Sequence, residues 1–134
     1  MILPRRAFLT IAGLGTLTRT AQTEPSPSQQ QGAPTMYGLI GKITAVAGQR
    51  DVLAAALLEG TQAMPGCHSY VVATDPADAE ALWITEVWDS QASHQASLAL
   101  PGVKAAIAKG RPLIAAFSNR VETNPIGGHG LSRP

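Results

Sequence analysis

An α+β domain with the element order β-α-β-β-α-β, the split βαβ or ferredoxin-like arrangement, is what this sequence predicts. Three observations carry the prediction. Four runs, Tyr37 to Val46, Cys67 to Thr74, Ala81 to Trp88 and Pro112 to Glu122, have strand-like patterning. Helical spacing of apolar residues appears between the first and second runs and again between the third and fourth. The second and third runs are separated only by a short turn sequence, so they can pair as a hairpin.

In chain order, Tyr37 to Val46 alternates Leu39, Gly41, Ile43 and Ala45 against Ile40, Lys42, Thr44 and Val46, the period of two of a half-buried strand. Ala47-Gly48-Gln49 breaks it. Over Arg50 to Ala63, Leu53 and Leu57 recur at helical spacing, continued by Met64, with alanines between them. Asp51 in the first turn suits the helix dipole, and Pro65-Gly66 stops the helix. Cys67 to Thr74 alternates about Val71 and Val72, and Asp75-Pro76-Ala77-Asp78 is the turn. The densest strand pattern is Leu-Trp-Ile-Thr-Glu-Val-Trp at 82–88. Asp89 and Ser90 are N-cap residue types for a helix from Gln91 to Leu98. Pro101 opens a further helical segment that points Val103 and Ile107 inward and ends at Gly110. A strand-like stretch, Pro112 to Glu122, completes the order. Asn124-Pro125, Gly127-Gly128 and Gly130 mark residues 124–134 as a tail.

The domain occupies residues 36–123 of 134. Ahead of it, Pro4-Arg5-Arg6-Ala7-Phe8-Leu9-Thr10 and the apolar run to Leu17 form a charged region followed by an apolar one. The paired arginines resemble the twin-arginine export signal, so residues 1–21 are expected to be a signal peptide of an exported, periplasmic protein. A leader that does not function would leave the protein cytoplasmic. Residues 22–35, rich in Ser, Pro, Gln and Gly, lack apolar periodicity and are expected to be a flexible linker.

The whole chain carries a formal charge of +1, but residues 36–134 hold seven basic and eight acidic groups, a net −1. The basic excess belongs to the leader. No basic patch interleaved with aromatics remains in the domain, which argues against a nucleic-acid partner. No run reaches the roughly 18 apolar residues of a membrane span, so a stable membrane anchor is not expected. Cys67 is the only cysteine, so the domain has no internal disulfide.

The hairpin strand 81–88 bears large groups on both faces: Trp83 and Val87 on one, Leu82, Ile84 and Trp88 on the other. Two helices cover only one face of a four-stranded sheet. A second copy of the sheet is the economical cover for the other, so a homodimer with the sheets face to face is expected.

Four motifs stand in a telling order: Pro65-Gly66-Cys67-His68-Ser69-Tyr70, Glu86-Val87-Trp88-Asp89-Ser90, Leu98 to Val103, and Arg111-Pro112-Leu113-Ile114. Their succession resembles the antibiotic biosynthesis monooxygenase family over residues 37 to 121. The resemblance implies the dimeric α+β barrel, which agrees with the element order. It also implies relationship to quinol monooxygenases and anthrone oxygenases, which use no metal or flavin. Many members carry a helix histidine where this chain has Ser97; here the helix histidine is His94. The haem-degrading branch uses an asparagine on the first strand and a tryptophan in the second helical region. Neither occurs in Tyr37 to Val46 or in Gln91 to Lys109, which disfavours haem degradation.

Cofactor-free oxygenation needs an apolar pocket, one base and a few hydrogen-bond donors, because an electron-rich quinol anion can reduce triplet dioxygen unaided. The candidate bases are His68, His94 and Glu86. His68 and Tyr70, two residues apart, are expected on one face of the second strand as base and donor. Glu86 lies between apolar positions on the Trp88 face, where burial would raise its pKa; its structural alternative is an ion pair, for which Arg111 is the candidate partner. His94 shares about the same helical face as Ser97 and can stand in for the family histidine. Tyr70, Trp83 and Trp88 are the candidate substrate-binding residues, Trp83 and Trp88 on opposite faces. His68, His94 and His129 lack metal-ligand spacing, so no metal is expected, and the resemblance implies that no other cofactor is used. The function expected is cofactor-independent oxidation of a quinol or polyphenolic aromatic by dioxygen. The alternative is a non-catalytic dimeric barrel that binds a small apolar ligand.

Overall fold

The structure, a computed structural model, describes residues 35–131. The leader expected at 1–21 and nearly all of the linker expected at 22–35 lie outside the described residues, as do 132–134. The elements are β1 (Tyr37–Ala45), α1 (Arg50–Gly60), β2 (Cys67–Asp75), β3 (Asp78–Trp88), α2 (Gln91–Ser97), α3 (Pro101–Gly110), a 3-10 turn (Arg111–Leu113) and β4 (Ile114–Thr123). The strands form one antiparallel sheet in the order β2-β3-β1-β4. This is the ferredoxin-like βαββαβ topology predicted from the sequence.

The helices cover one face. There, Ile43 and Ala45 of β1 and Leu82 and Ile84 of β3 pack against Leu53 of α1, with Leu57, Tyr70 and Val72 at the margin. Pairing of Gly41 with Ile84 and of Ile43 with Leu82 puts the odd positions of β1 and the even positions of β3 on this inner face. The second half of the helix layer is the pair α1 and α3. They approach closely because a side chain at Gly60 would collide with that of Ala106 and come within 3.0 Å of the Gly102 carbonyl.

Several boundaries differ from the sequence prediction, each for a local reason. β3 starts at Asp78 rather than Ala81, so the hairpin turn has only two residues between paired Asp75 and Asp78. The Asp75 carboxylate accepts from the Ala77 amide at 2.8 Å, and that of Asp78 from the Glu80 amide at 3.1 Å. These side-chain bonds hold a polar extension of the strand that apolar patterning does not reveal. α1 stops at Gly60, three residues short of the predicted Ala63. β4 starts at Ile114, after the 3-10 turn, whose Leu113 carbonyl accepts from the Val46 amide at 2.8 Å. On α3 the buried residues are Ala106 and Gly110, while Ile107, predicted to point inward, lines open clefts against the sheet and is 38% exposed.

The outer face carries Ile40, Val71, Trp83, Val87 and Val121, of which Val71 and Val121 are about half exposed at 49% and 51%. One corner is charged instead. Lys42 Nζ lies 2.8 Å from Asp75 Oδ2 and 3.5 Å from Asp78 Oδ2. The same Asp75 oxygen accepts from Trp83 Nε1 at 2.9 Å, and the Lys42 ammonium lies 5.8 Å from the Trp83 ring centre. Among the described residues no helix is long and apolar enough to cross a membrane.

Candidate active site

Polar residues converge on the inner face at the end of the sheet where α2 crosses. β3 supplies Glu86 and Trp88, one pleat apart on the same face. Trp88 Nε1 donates to Glu86 Oε2 at 2.8 Å. His94 Nε2 lies 3.7 Å from that oxygen, an ion pair when the ring is protonated. Only 14% of the His94 side chain and 11% of the Glu86 side chain reach solvent, so neither is a solvated surface group.

His94 is held by three features of its short helix. Ser90 caps α2, its hydroxyl accepting from the Ser93 amide at 3.1 Å. Ser97, buried, donates its hydroxyl to the His94 carbonyl at 2.6 Å. The helix start is also seated against Gly66, whose φ of 81° and closeness to Ser93 and Asp89 exclude a side chain. The imidazole then packs between two aromatic rings: Tyr37 at a centroid distance of 5.2 Å and Trp88, edge-on, at 5.4 Å.

The surroundings set the charge behaviour of the site. Burial pushes the Glu86 carboxyl above its ordinary value, while the Trp88 indole N–H, His94 and Arg120 pull the other way without cancelling it. Burial also pushes the Tyr70 hydroxyl far up, with the Glu86 charge adding to the effect, so Tyr70 stays a neutral donor at physiological pH. Tyr37 is likewise raised, by burial first and then by the Glu122 carboxylate. The Cys67 thiol, raised by burial and 3.5 Å from the Ser69 carbonyl, is an inert neighbour rather than a nucleophile.

Of the residues singled out from the sequence, the structure brings Glu86, His94, Tyr70 and Trp88 together. They line one cleft of about 120 Å3 that also contains Ser97. His94 and Ser97 thus face the same space, as their spacing predicted. The expected pairing of His68 with Tyr70 is not found. The β2–β3 register shifts between Cys67 and Ser69, which leaves His68 as an extra residue, exposed, while Cys67 and Tyr70 face inward. Trp83 lies on the outer face, bonded to Asp75, and takes no part in this cleft. The ion pair considered between Glu86 and Arg111 is also absent; the partners of Glu86 are Trp88 and His94. Tyr37 and Arg120 were not anticipated. Tyr37 sits opposite Trp88 in the β1–β3 ladder, and only that register reveals that its ring reaches His94.

Two further clefts adjoin the first. One, about 230 Å3, is bounded by Tyr70, Glu86, Phe117 and Arg120; the other, about 450 Å3, by Leu57, Ile107, Arg111 and Phe117. Among the described residues no cluster of three or more His, Cys, Asp or Glu groups is placed to hold a metal ion.

The family profile described as antibiotic biosynthesis monooxygenase matches residues 36–109. A candidate antibiotic biosynthesis monooxygenase of Chloroflexus aurantiacus J-10-fl, known as a crystal structure, is 65% identical. The match covers 72% of this chain and 99% of that one, with a TM-score of 0.71. A candidate of the same description from Caulobacter crescentus CB15 is 16% identical over 70% of this chain and 92% of its own, with a TM-score of 0.63. A Pseudomonas aeruginosa protein is 20% identical over 72% and 100%, with a TM-score of 0.62. These last two share the fold. No curated protein is significantly similar in sequence.

Proposed function

Because this chain belongs to the antibiotic biosynthesis monooxygenase family, we propose that it oxidises a quinol or polyphenolic aromatic with dioxygen, using no bound metal or flavin. The observation that carries the reading is the shielded Glu86–His94 pair beside an apolar cleft, with Tyr70 as a neutral donor on the same wall. A carboxylate destabilised by burial takes a phenolic proton more readily than a solvated one. Glu86, or His94 acting beside it, removes that proton. Tyr70 holds the resulting oxyanion, and Trp88 fixes the Glu86 carboxylate.

The anion passes one electron to dioxygen, giving a semiquinone and superoxide. Their recombination at a ring carbon forms a peroxide. Loss of that carbon's proton with cleavage of the O–O bond leaves a carbonyl and releases water, so one oxygen atom ends in the product and the other in water. The apolar lining keeps bulk water from the intermediates.

The test is incubation of the purified protein with a panel of hydroquinones under 18O2. Product labelled with one heavy oxygen, above the autoxidation rate, is expected. Oxygen uptake and quinone formation no faster than autoxidation across the panel would sink the reading. The same largely apolar clefts suit a non-catalytic barrel holding a small apolar ligand, which predicts saturable quenching of Trp88 without turnover.

We also propose that the apolar outer face is covered by a second copy of the chain, and that the paired arginines Arg5 and Arg6 direct export.

A further inference from the structure

The three clefts share wall residues, with Glu86 on two of them and Arg111 on the largest alone. The cleft at His94 shares Leu57, Ala106 and Ile107 with the largest, and the largest shares Ile43 and Phe117 with the cleft at Tyr70 and Glu86. The part at His94, about 120 Å3, is smaller than the roughly 150 Å3 that holds benzene, so a ring seated there extends into the adjoining space. The adjoining part, about 450 Å3, is far larger than a one-ring substrate requires.

The two ends of this run of clefts differ in charge. At one end stands the Glu86 carboxylate, which repels an anionic substituent; Arg120, on the wall of the neighbouring cleft, is held by Glu122. At the other, Arg111 lines the largest cleft, and among the described residues no carboxylate lies within ion-pair reach of it. Arg50, Lys42, Lys109 and Arg120 have carboxylate partners, and Lys104, which has none among the described residues, lines none of the three clefts. An unpaired planar guanidinium at the mouth of an apolar cleft is suited to bidentate recognition of a carboxylate.

We infer that the ligand is an elongated aromatic acid, its phenolic ring at Glu86 and His94 and its carboxylate at Arg111. The orientation rests on the proposed function, because it assigns the phenolic end to the base; the acid preference itself rests on Arg111. Arg111 is solvent-exposed, so its contribution to affinity is modest, on the order of three- to tenfold.

The test uses a two-ring hydroquinone with a terminal carboxylate and its methyl ester, titrated calorimetrically into the wild-type protein, Arg111→Ala and Arg111→Lys. The acid is expected to bind the wild type roughly three- to tenfold tighter than the ester. Arg111→Ala should abolish that preference by weakening acid binding more than ester binding, and Arg111→Lys should restore part of it. Equal binding of acid and ester, no binding of either, or a preference that survives Arg111→Ala would overturn the inference. Oxygen uptake on the same pair separates this failure from that of the proposed function. Acid preference through Arg111 without oxidation removes the oxygenase and leaves the ligand class standing. Oxidation of both compounds with no preference removes the ligand class and leaves the oxygenase.

Discussion

At the scale of single residues, Glu86 carries opposed influences: burial raises its pKa, and the Trp88 indole N–H and the His94 charge lower it. A base must be ionised to act, so activity should rise with pH through a limb set above the ordinary glutamate range. Trp88→Phe removes a bond that favours the carboxylate, so the limb should move to higher pH, as read from kcat/KM against pH; an unmoved limb would mean that another group is the base. Asp75 behaves in the opposite sense. Its bond from Lys42, then those from the Ala77 amide and Trp83, hold it at about 2 against an ordinary 3.8. A depressed folded-state pKa contributes stability that is present above the ordinary value and lost as pH falls toward the lowered one. Asp75→Asn should therefore lower the urea midpoint at pH 6, and the difference from wild type should shrink toward pH 2. Glu86, Trp88 and Tyr70 were legible in the sequence because strand alternation alone assigns them to a face. His68 was misplaced because a bulge leaves no mark in residue type, and one extra residue reverses the face of everything beyond it.

At the scale of elements, two glycines seat the helices around the site. Gly60 lets α1 meet α3 at Ala106, on the helix wall of the His94 cleft, and Gly66 seats the start of α2, which carries His94 itself. Gly60→Ala forces the helices apart and should cost about 1–3 kcal/mol of stability, with a smaller loss of kcat than a change at the His94 helix produces. Gly66→Ala meets both a positive φ of 81° and the Ser93 side chain, so it should lower kcat as well as the thermal midpoint. Equal effects of the two on kcat would break the link between α2 and the site. Element order and type were readable from periodicity, and the Ser90 cap from residue type. The ends were less so. The polar start of β3 rests on side-chain bonds of Asp75 and Asp78, and the end of α1 on contact with α3, which is a tertiary fact.

At the scale of the whole molecule, the helices leave the outer sheet face with Ile40, Val71, Val87 and Val121 on it. If a second copy covers this face, sedimentation should show a dimer at micromolar concentration. Val71→Asp should yield a folded monomer, because Val71 is already 49% exposed in the single chain and its replacement leaves the inner core intact. A wild-type monomer would refute the face-to-face pairing. The clefts, Glu86, His94 and Tyr70 lie on the opposite, inner face of the sheet. In the proposed oxygenase reaction, Glu86 is the base on this face. The most direct test of that role is the initial rate of oxygen uptake on the best hydroquinone substrate, wild type against Glu86→Gln, at matched fold by circular dichroism. Loss of a positioned general base predicts a fall of about 10²- to 10⁴-fold; equal rates for the two proteins would mean that Glu86 takes no proton from the substrate.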